Sequence, residues 1–147
     1  MAAYRTHLLV CGGTACKASG GESLKEALIK EITAKELQHE VQVIETGCNG
    51  FCAMGPVMVV QPEGIFYQKL RLEDIPELVE EHLLKGRPVE RLFYTEPASA
   101  DTIRRLDDIP FFAEQQLIVL RNRGILDPES IDEYIANGDL AGLNRIA

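Results

Sequence analysis

The chain is short of positive charge. Fifteen Lys and Arg stand against 23 Asp and Glu, a formal net charge of −8 over 147 residues. Phosphate backbones are held by clustered Lys and Arg, so this balance excludes nucleic acid and suits a protein that meets other proteins. No apolar run approaches the length of a membrane span, which argues against direct membrane insertion. The opening "MAAYRTHLLVCGG" lacks a signal-peptide core ahead of a small-residue cleavage site, so the expected location is cytoplasmic. Also missing are a C-x-x-C dithiol, a G-x-G-x-x-G fingerprint, an internal repeat and any low-complexity tract. What remains is 46% hydrophobic and 26% charged, the balance of a soluble domain with room for an appendage.

Cysteine is scarce but grouped. The four fall as Cys11-x4-Cys16, a gap of 31 residues, then Cys48-x3-Cys52. In a cytosolic chain such grouping points to metal or redox chemistry rather than a disulfide framework. "THLLVC" (6–11) reads as a buried strand ending at the first cysteine, and "EVQVIET" (40–46) alternates as a strand leading into the second pair. Between them "ESLKEALIKEITAKEL" (22–37) places Leu24, Leu28 and Ile32 on one helical stripe, with capping boxes available at Ser19–Glu22 or Ser23–Glu26. Runs 57–61 and 65–69 flank the turn Pro62-Glu63-Gly64 as a hairpin. "EDIPELVEEHLLKG" gives a helix with Ile75, Leu78, Val79 and Leu83 on one face, stopped at Gly86. The order β-α-β-β-β-α predicts a small α/β sandwich whose first helix crosses between parallel strands. Each cysteine pair then sits in a loop after a strand, and the loops lie side by side.

Glycine is dense at both cysteine loops, with Gly12, Gly13, Gly20 and Gly21 at one and Gly47, Gly50 and Gly55 at the other. Carboxylates are missing from both, with no Asp or Glu between Gly12 and Gly21 or between Gly47 and Val60. Structural zinc would also take four thiolates, although the spacings are at the loose end of its knuckles. Four unrelated buried cysteines are the bland alternative. An iron–sulfur cluster accounts for the glycines, because a 2Fe–2S core on four thiolates is a dianion and gains a further negative charge on reduction. Such a centre wants close backbone N–H dipoles, and the positive end of the first helix, rather than carboxylates.

Cys-x4-Cys followed by Gly-Cys-x-Gly-x-Cys-x-x-Gly-Pro resembles the thioredoxin-like 2Fe–2S ferredoxin domain, especially the form at the N-terminus of flavoprotein subunits of NADH-dependent hydrogenases and bifurcating oxidoreductases. "FYQKLRLEDIPELVEEHLLKGRPVERLFY" continues the likeness to residue 94. "FFAEQQLIVLRNRGILDPESIDEYI" is similar to the start of the flavin- and NADH-binding domain of the NADH-binding subunit of complex I. The resemblance implies cluster ligands at Cys11, Cys16, Cys48 and Cys52. It implies an α/β ferredoxin domain over 1–94, a linker over 95–109, and over 110–147 a short, partly helical start of a truncated flavin domain. FMN, NAD and a 4Fe–4S cluster would belong to the remainder of such a subunit, so the chain alone is not expected to be catalytic. One-electron transfer beside other subunits of a multi-subunit oxidoreductase is the implied function. The rival is a zinc-stabilised or metal-free subunit-docking domain.

Other residues carry plainer expectations. His7, His39 and His82 read as ordinary strand or surface histidines, since four cysteines already fill four ligand sites. Met54 shields sulfur or packs the loop. Pro56 opens a strand where thioredoxin-like folds often carry a cis bond. Glu73 to Glu81 read as the solvated face of a helix. Residues 110–147 carry a large apolar load for 38 residues, from which self-association is expected.

Overall fold

The computed structural model describes residues 4–118 and 130–136. Strand β1 (Thr6–Cys11) runs parallel to β2 (Val41–Thr46) and antiparallel to β3 (Met58–Gln61), which pairs with β4 (Ile65–Tyr67), giving the order β2-β1-β3-β4. The register sets Cys11 opposite Thr46, so both cysteine loops leave the same end of the sheet. The crossover is made by α2 (Gly21–Ala34), whose buried stripe is Leu24, Leu28 and Ile32. That stripe packs on one face of the sheet with Leu8, Val10, Met58 and Val60. The fold is α/β, with the element order expected from the apolar periodicity.

The start of α2 differs from expectation. Neither capping box forms: Gly20 is the N-cap, with φ 96° and no side-chain cap bond. Ser19 instead donates its hydroxyl back to the Ala15 carbonyl at 2.8 Å. The reason is a short helix that the sequence reading took for loop, α1 (Thr14–Ala18). Two helices abutting at Ser19 and Gly20 need a left-handed residue between them, which glycine adopts without steric cost.

Helix α3 (Ile75–Leu78) continues as a π-helical turn, Val79–Leu84, closed by the Lys85 amide on the Glu80 carbonyl at 3.3 Å. Ile75, Leu78, Val79 and Leu83 are buried as expected. Two polar residues here depart from the reading. Asp74, from the supposedly solvated face, is buried and accepts from the Arg71 amide at 2.8 Å and the Arg91 guanidinium at 2.7 Å. His82 is a core histidine: its Nδ1 shares a hydrogen bond with the Tyr67 hydroxyl at 2.9 Å, and that hydroxyl accepts from the Val89 amide at 3.1 Å.

Burial pushes the His82 pKa down, with Arg104 acting in the same direction and Glu63 opposing it. The folded pKa therefore lies below the unfolded value of 6.5, so the unfolded state binds more protons in that window. The His82 contribution is fully present above pH 6.5 and is lost as pH falls through the lowered folded value. Urea melts from pH 8 to 5 should show stability declining below 6.5, with that slope flattened in His82→Gln. Equal slopes in both proteins would remove His82 as the cause.

The segment 95–109, read as a linker, carries structure. Strand β5 (Tyr94–Thr95) pairs antiparallel with β6 (Thr102–Ile103), and Leu106 and Ile109 are buried beyond it. The Phe66 amide bonds to the Arg104 carbonyl at 3.0 Å and the Leu106 amide to that of Gly64 at 2.9 Å. Its polar residues hide a few well-placed apolar ones, which no period announces. Two short helices follow, α4 (Pro110–Ala113) and α5 (Ile131–Ala136). Phe111, Ile118 and Ile131 are exposed.

Candidate metal centre

Cys11 ends β1 and is 3% exposed; Cys16 sits on α1 and is 2% exposed. The expectation that both pairs lie in loops with little burial holds for Cys48 and Cys52, which are exposed, and fails for the first pair. Position along the chain hid this: α1 folds Cys16 back under the end of the sheet. Cys48 follows β2, and Cys52 opens a single 3-10 turn, Cys52–Met54.

The two loops are stitched together at the end of the sheet. The Gly12 amide bonds to the Thr46 carbonyl at 2.8 Å, and the Cys11 amide to that of Val57 at 3.1 Å. Cys48 and Cys52 hold their sulfurs 3.9 Å apart, and the Gly50 amide donates to Cys48 Sγ at 3.3 Å. Gly50 uses φ 85°, which lets that amide turn inward. A Cβ there would meet nothing within 4 Å, so a side chain at Gly50 would be penalised by backbone conformation and not by crowding. That cost is about 1–2 kcal/mol.

The sulfurs feel one another. Cys16 is pushed up to about 11 by burial first and by its interaction with Cys11 second, with Cys52 adding to it. The Gly50 amide lowers Cys48, and Cys48 in turn raises Cys52. All four cysteines thus belong to one constellation, in which several neighbouring negative sulfurs are costly without a compensating cation.

Close backbone approach makes the cradle. A Cβ on Gly55 would lie 2.9 Å from Cys16 Sγ, and one on Gly13 3.2 Å from Cys48 Sγ. One on Gly21, the first residue of α2, would stand 2.8 Å from the Cys16 carbonyl, so the positive end of that helix adjoins the site. Asn49 Nδ2 is buried without a hydrogen-bond partner, a donor in the cysteine loop still in need of an acceptor. Among the described residues no three His, Cys, Asp or Glu side chains gather around one ion. A 2Fe–2S core does not ask for that, because each iron takes two thiolates and two sulfides. Donor type, amide dipoles and glycine contacts therefore fit such a cluster.

Two features went unnoticed in the sequence. Glu45 of β2 lies over Gly12, where a Cβ would come within 2.6 Å of Oε1. Its carboxylate meets Lys17 at 2.7 Å and Lys25 at 3.0 Å, so the carboxylate next to the site is neutralised. Lysines paired across three elements leave no mark in spacing. Phe51, between the last two cysteines, joins an aromatic group with Phe66, Tyr94 and Phe112. Met54 packs against the same apolar cluster as Cys11 and Cys16. The Gly55–Pro56 bond is cis, as is Gln61–Pro62. No helix among the described residues is long and apolar enough to cross a membrane.

Comparison with known proteins agrees with this geometry. The profile of the thioredoxin-like [2Fe-2S] ferredoxin family matches residues 2–83. A 2Fe-2S ferredoxin of Clostridium pasteurianum is 35% identical over 96 residues, covering 58% of this chain and 92% of the relative. One from Aquifex aeolicus is 41% identical over 78 residues, covering 52% and 70%. The crystal structure of the thioredoxin-like [2Fe-2S] ferredoxin of Aquifex aeolicus superposes with a TM-score of 0.57 at 35% identity, over 64% of this chain and 100% of that one. With its fold, its grouped thiols and its relatives in agreement, this chain belongs to the thioredoxin-like [2Fe-2S] ferredoxin family, and is an electron carrier built around a 2Fe–2S cluster.

Proposed function

We propose that Cys11, Cys16, Cys48 and Cys52 are the four ligands of the cluster, and that the chain relays electrons as the N-terminal module of an NADH-linked flavoprotein subunit. The observation that carries the ligand set is the gathering of the two cysteine loops at one end of the sheet. The Cys48 and Cys52 sulfurs lie 3.9 Å apart, Cys11 Sγ lies 3.8 Å from the Gly47 carbonyl, and the glycine backbone of each loop stands against a cysteine of the other. When bound, the cluster supplies a one-electron couple. The chain's own residues hold and tune it. The four thiolates ligate, the Gly50 amide donates to Cys48 Sγ, Asn49 Nδ2 offers a further donor, and Phe51 and Met54 exclude water from the inner side. The buried pair, Cys11 and Cys16, faces the core, whereas Cys48 and Cys52 face solvent, the side from which a partner's redox centre can approach.

The NADH link is supported by the likeness of residues 111–135 to the opening of a flavin- and NADH-binding domain. In that reading exposed Phe111, Ile118 and Ile131 meet other parts of a multi-subunit oxidoreductase in the cytoplasm, or a second copy of this chain.

Protein purified without oxygen should be reddish-brown, with about two iron and two acid-labile sulfide per chain. Chemical reduction should give a 2Fe–2S EPR signal, and NADH added alone should leave the spectrum unchanged. A colourless protein holding zinc would overturn the cluster reading in favour of a docking domain. Bleaching by NADH alone would overturn the modular reading.

A further inference from the structure

A second apolar cluster, apart from the main core, collects around the metal centre. Cys11 and Cys16 belong to it, together with Phe66, Tyr94 and Ile109, and Phe51 and Phe112 pack against it. Phe51 is where the parts meet. Its ring centroid lies 5.2 Å from Phe66, 5.4 Å from Tyr94 and 5.4 Å from Phe112. Phe51 also directly precedes Cys52, and its carbonyl accepts from the Met54 amide at 2.9 Å. Movement of this ring therefore moves the loop that carries Cys48 and Cys52.

Two of the three rings around Phe51 come from beyond residues 2–83, the span matched by the family profile. The segment supplying them is anchored on its own account, by the Arg104 and Gly64 backbone bonds and by Ile109, which is 1% exposed. It ends with Phe112, half-buried, whose amide bonds to the Ile109 carbonyl at 2.8 Å.

We propose that residues 94–112 form a strap along the inner side of the metal centre and that Phe112 is a positioning residue, holding Phe51 in place so that water is kept from that inner side, and so keeping the reduction potential low. The inference rests on the four-cysteine ligand set proposed above. Its physical basis is charge: reduction makes an anionic centre more anionic, and water stabilises the more highly charged form preferentially. An aromatic lid removes that help. Opening the lid should make reduction easier.

The full chain, loaded with cluster, is titrated by redox potentiometry as wild type, Phe112→Ala, Phe112→Leu and Phe112→Tyr, beside Leu83→Ala. Leu83 is buried in the main core, outside the apolar group that holds Cys11 and Cys16, and its loss reports general loosening. Phe112→Ala should raise the potential by about 59 mV, a tenfold shift of a one-electron equilibrium. It should also speed cluster loss to a chelator. Phe112→Leu should give a smaller shift in the same direction, readable even if the alanine variant sheds its cluster, and Phe112→Tyr should restore the wild-type value. Leu83→Ala should lower the melting temperature and leave the potential in place. Unchanged potentials in the Phe112 alanine and leucine variants, with normal iron and sulfide, overturn the strap. An equal shift in Leu83→Ala overturns it too. A wild-type chain that binds no iron or sulfide refutes the ligand set itself, which is a different result.

Discussion

Cys16→Ser should leave a folded protein that holds almost no cluster, a larger loss than Cys52→Ser causes. On the proposed ligand set each of the four thiolates is a quarter of the protein's ligands, yet their settings differ. Cys16 is buried on α1 against the end of the sheet, while Cys52 is exposed on a loop. Serine must ligate as an alkoxide, and burial penalises an oxyanion far more than it does an exposed one. The Cys16 site also has little free space around its sulfur, since a Cβ added at Gly55 would already fall 2.9 Å from it. The Cys48–Cys52 loop, open to solvent, can shift to bring a serine oxygen to iron. Iron and labile sulfide per chain, read beside far-UV circular dichroism, check this. Cys16→Ser should fall from about two irons to well under one, and Cys52→Ser should keep part of its iron with an altered EPR signal. A Cys16→Ser protein with wild-type iron, sulfide and spectrum would strike that residue from the ligand set. A reversed order would refute the burial argument.

The second large effect should come from one methyl group. Gly55→Ala puts a Cβ 2.9 Å from Cys16 Sγ and 3.4 Å from the Cys52 carbonyl, between two ligand-bearing segments. Cβ atoms do not approach that closely, so either the sulfur or the backbone must give way, and both are tied to the site. Overpacking of this kind costs about 1–3 kcal/mol in a well-filled interior. On the proposed ligand set the displaced atom is a ligand, so the loss should appear first as poor cluster retention and only then as lower stability. Gly47→Ala is the natural comparison, because a Cβ there meets nothing within 4 Å. Loaded protein challenged with an iron chelator should lose cluster roughly tenfold faster for Gly55→Ala than for Gly47→Ala, about 1.4 kcal/mol in barrier terms. Indistinguishable rates would mean that the close approach at Gly55 is idle.

Local chemistry was written plainly in the residues. The apolar stripe of α2, the alternation in β2 and the turn at Pro62-Glu63-Gly64 each follow from a period or a turn residue, and each appears where it was expected. The grouping of the cysteines, the glycines beside them and the absence of carboxylates in both loops pointed to an anionic cluster before any coordinates. These are one-dimensional signals, because thiols grouped in pairs stay close along the chain.

Contacts between distant segments left no such trace. That Cys16 is buried and Cys52 exposed depends on α1 tucking under the sheet, and five residues without a period do not declare a helix. His82 looks like a surface histidine until Tyr67 and the Val89 amide are brought to it, from fifteen residues away and from the next turn. The polar segment 95–109 reads as a linker because three or four apolar side chains are enough to pin a hairpin once a waiting surface exists, and that surface is made by β4 and the cysteine loop. The residues by themselves determined the grouping of the four thiols, the crossover topology and the kind of centre they suit. Only the tertiary structure decided which pair of cysteines faces water, which carboxylate is neutralised beside them and which aromatic ring closes over their loop, because burial and pairing belong to surfaces that the chain creates only when it folds.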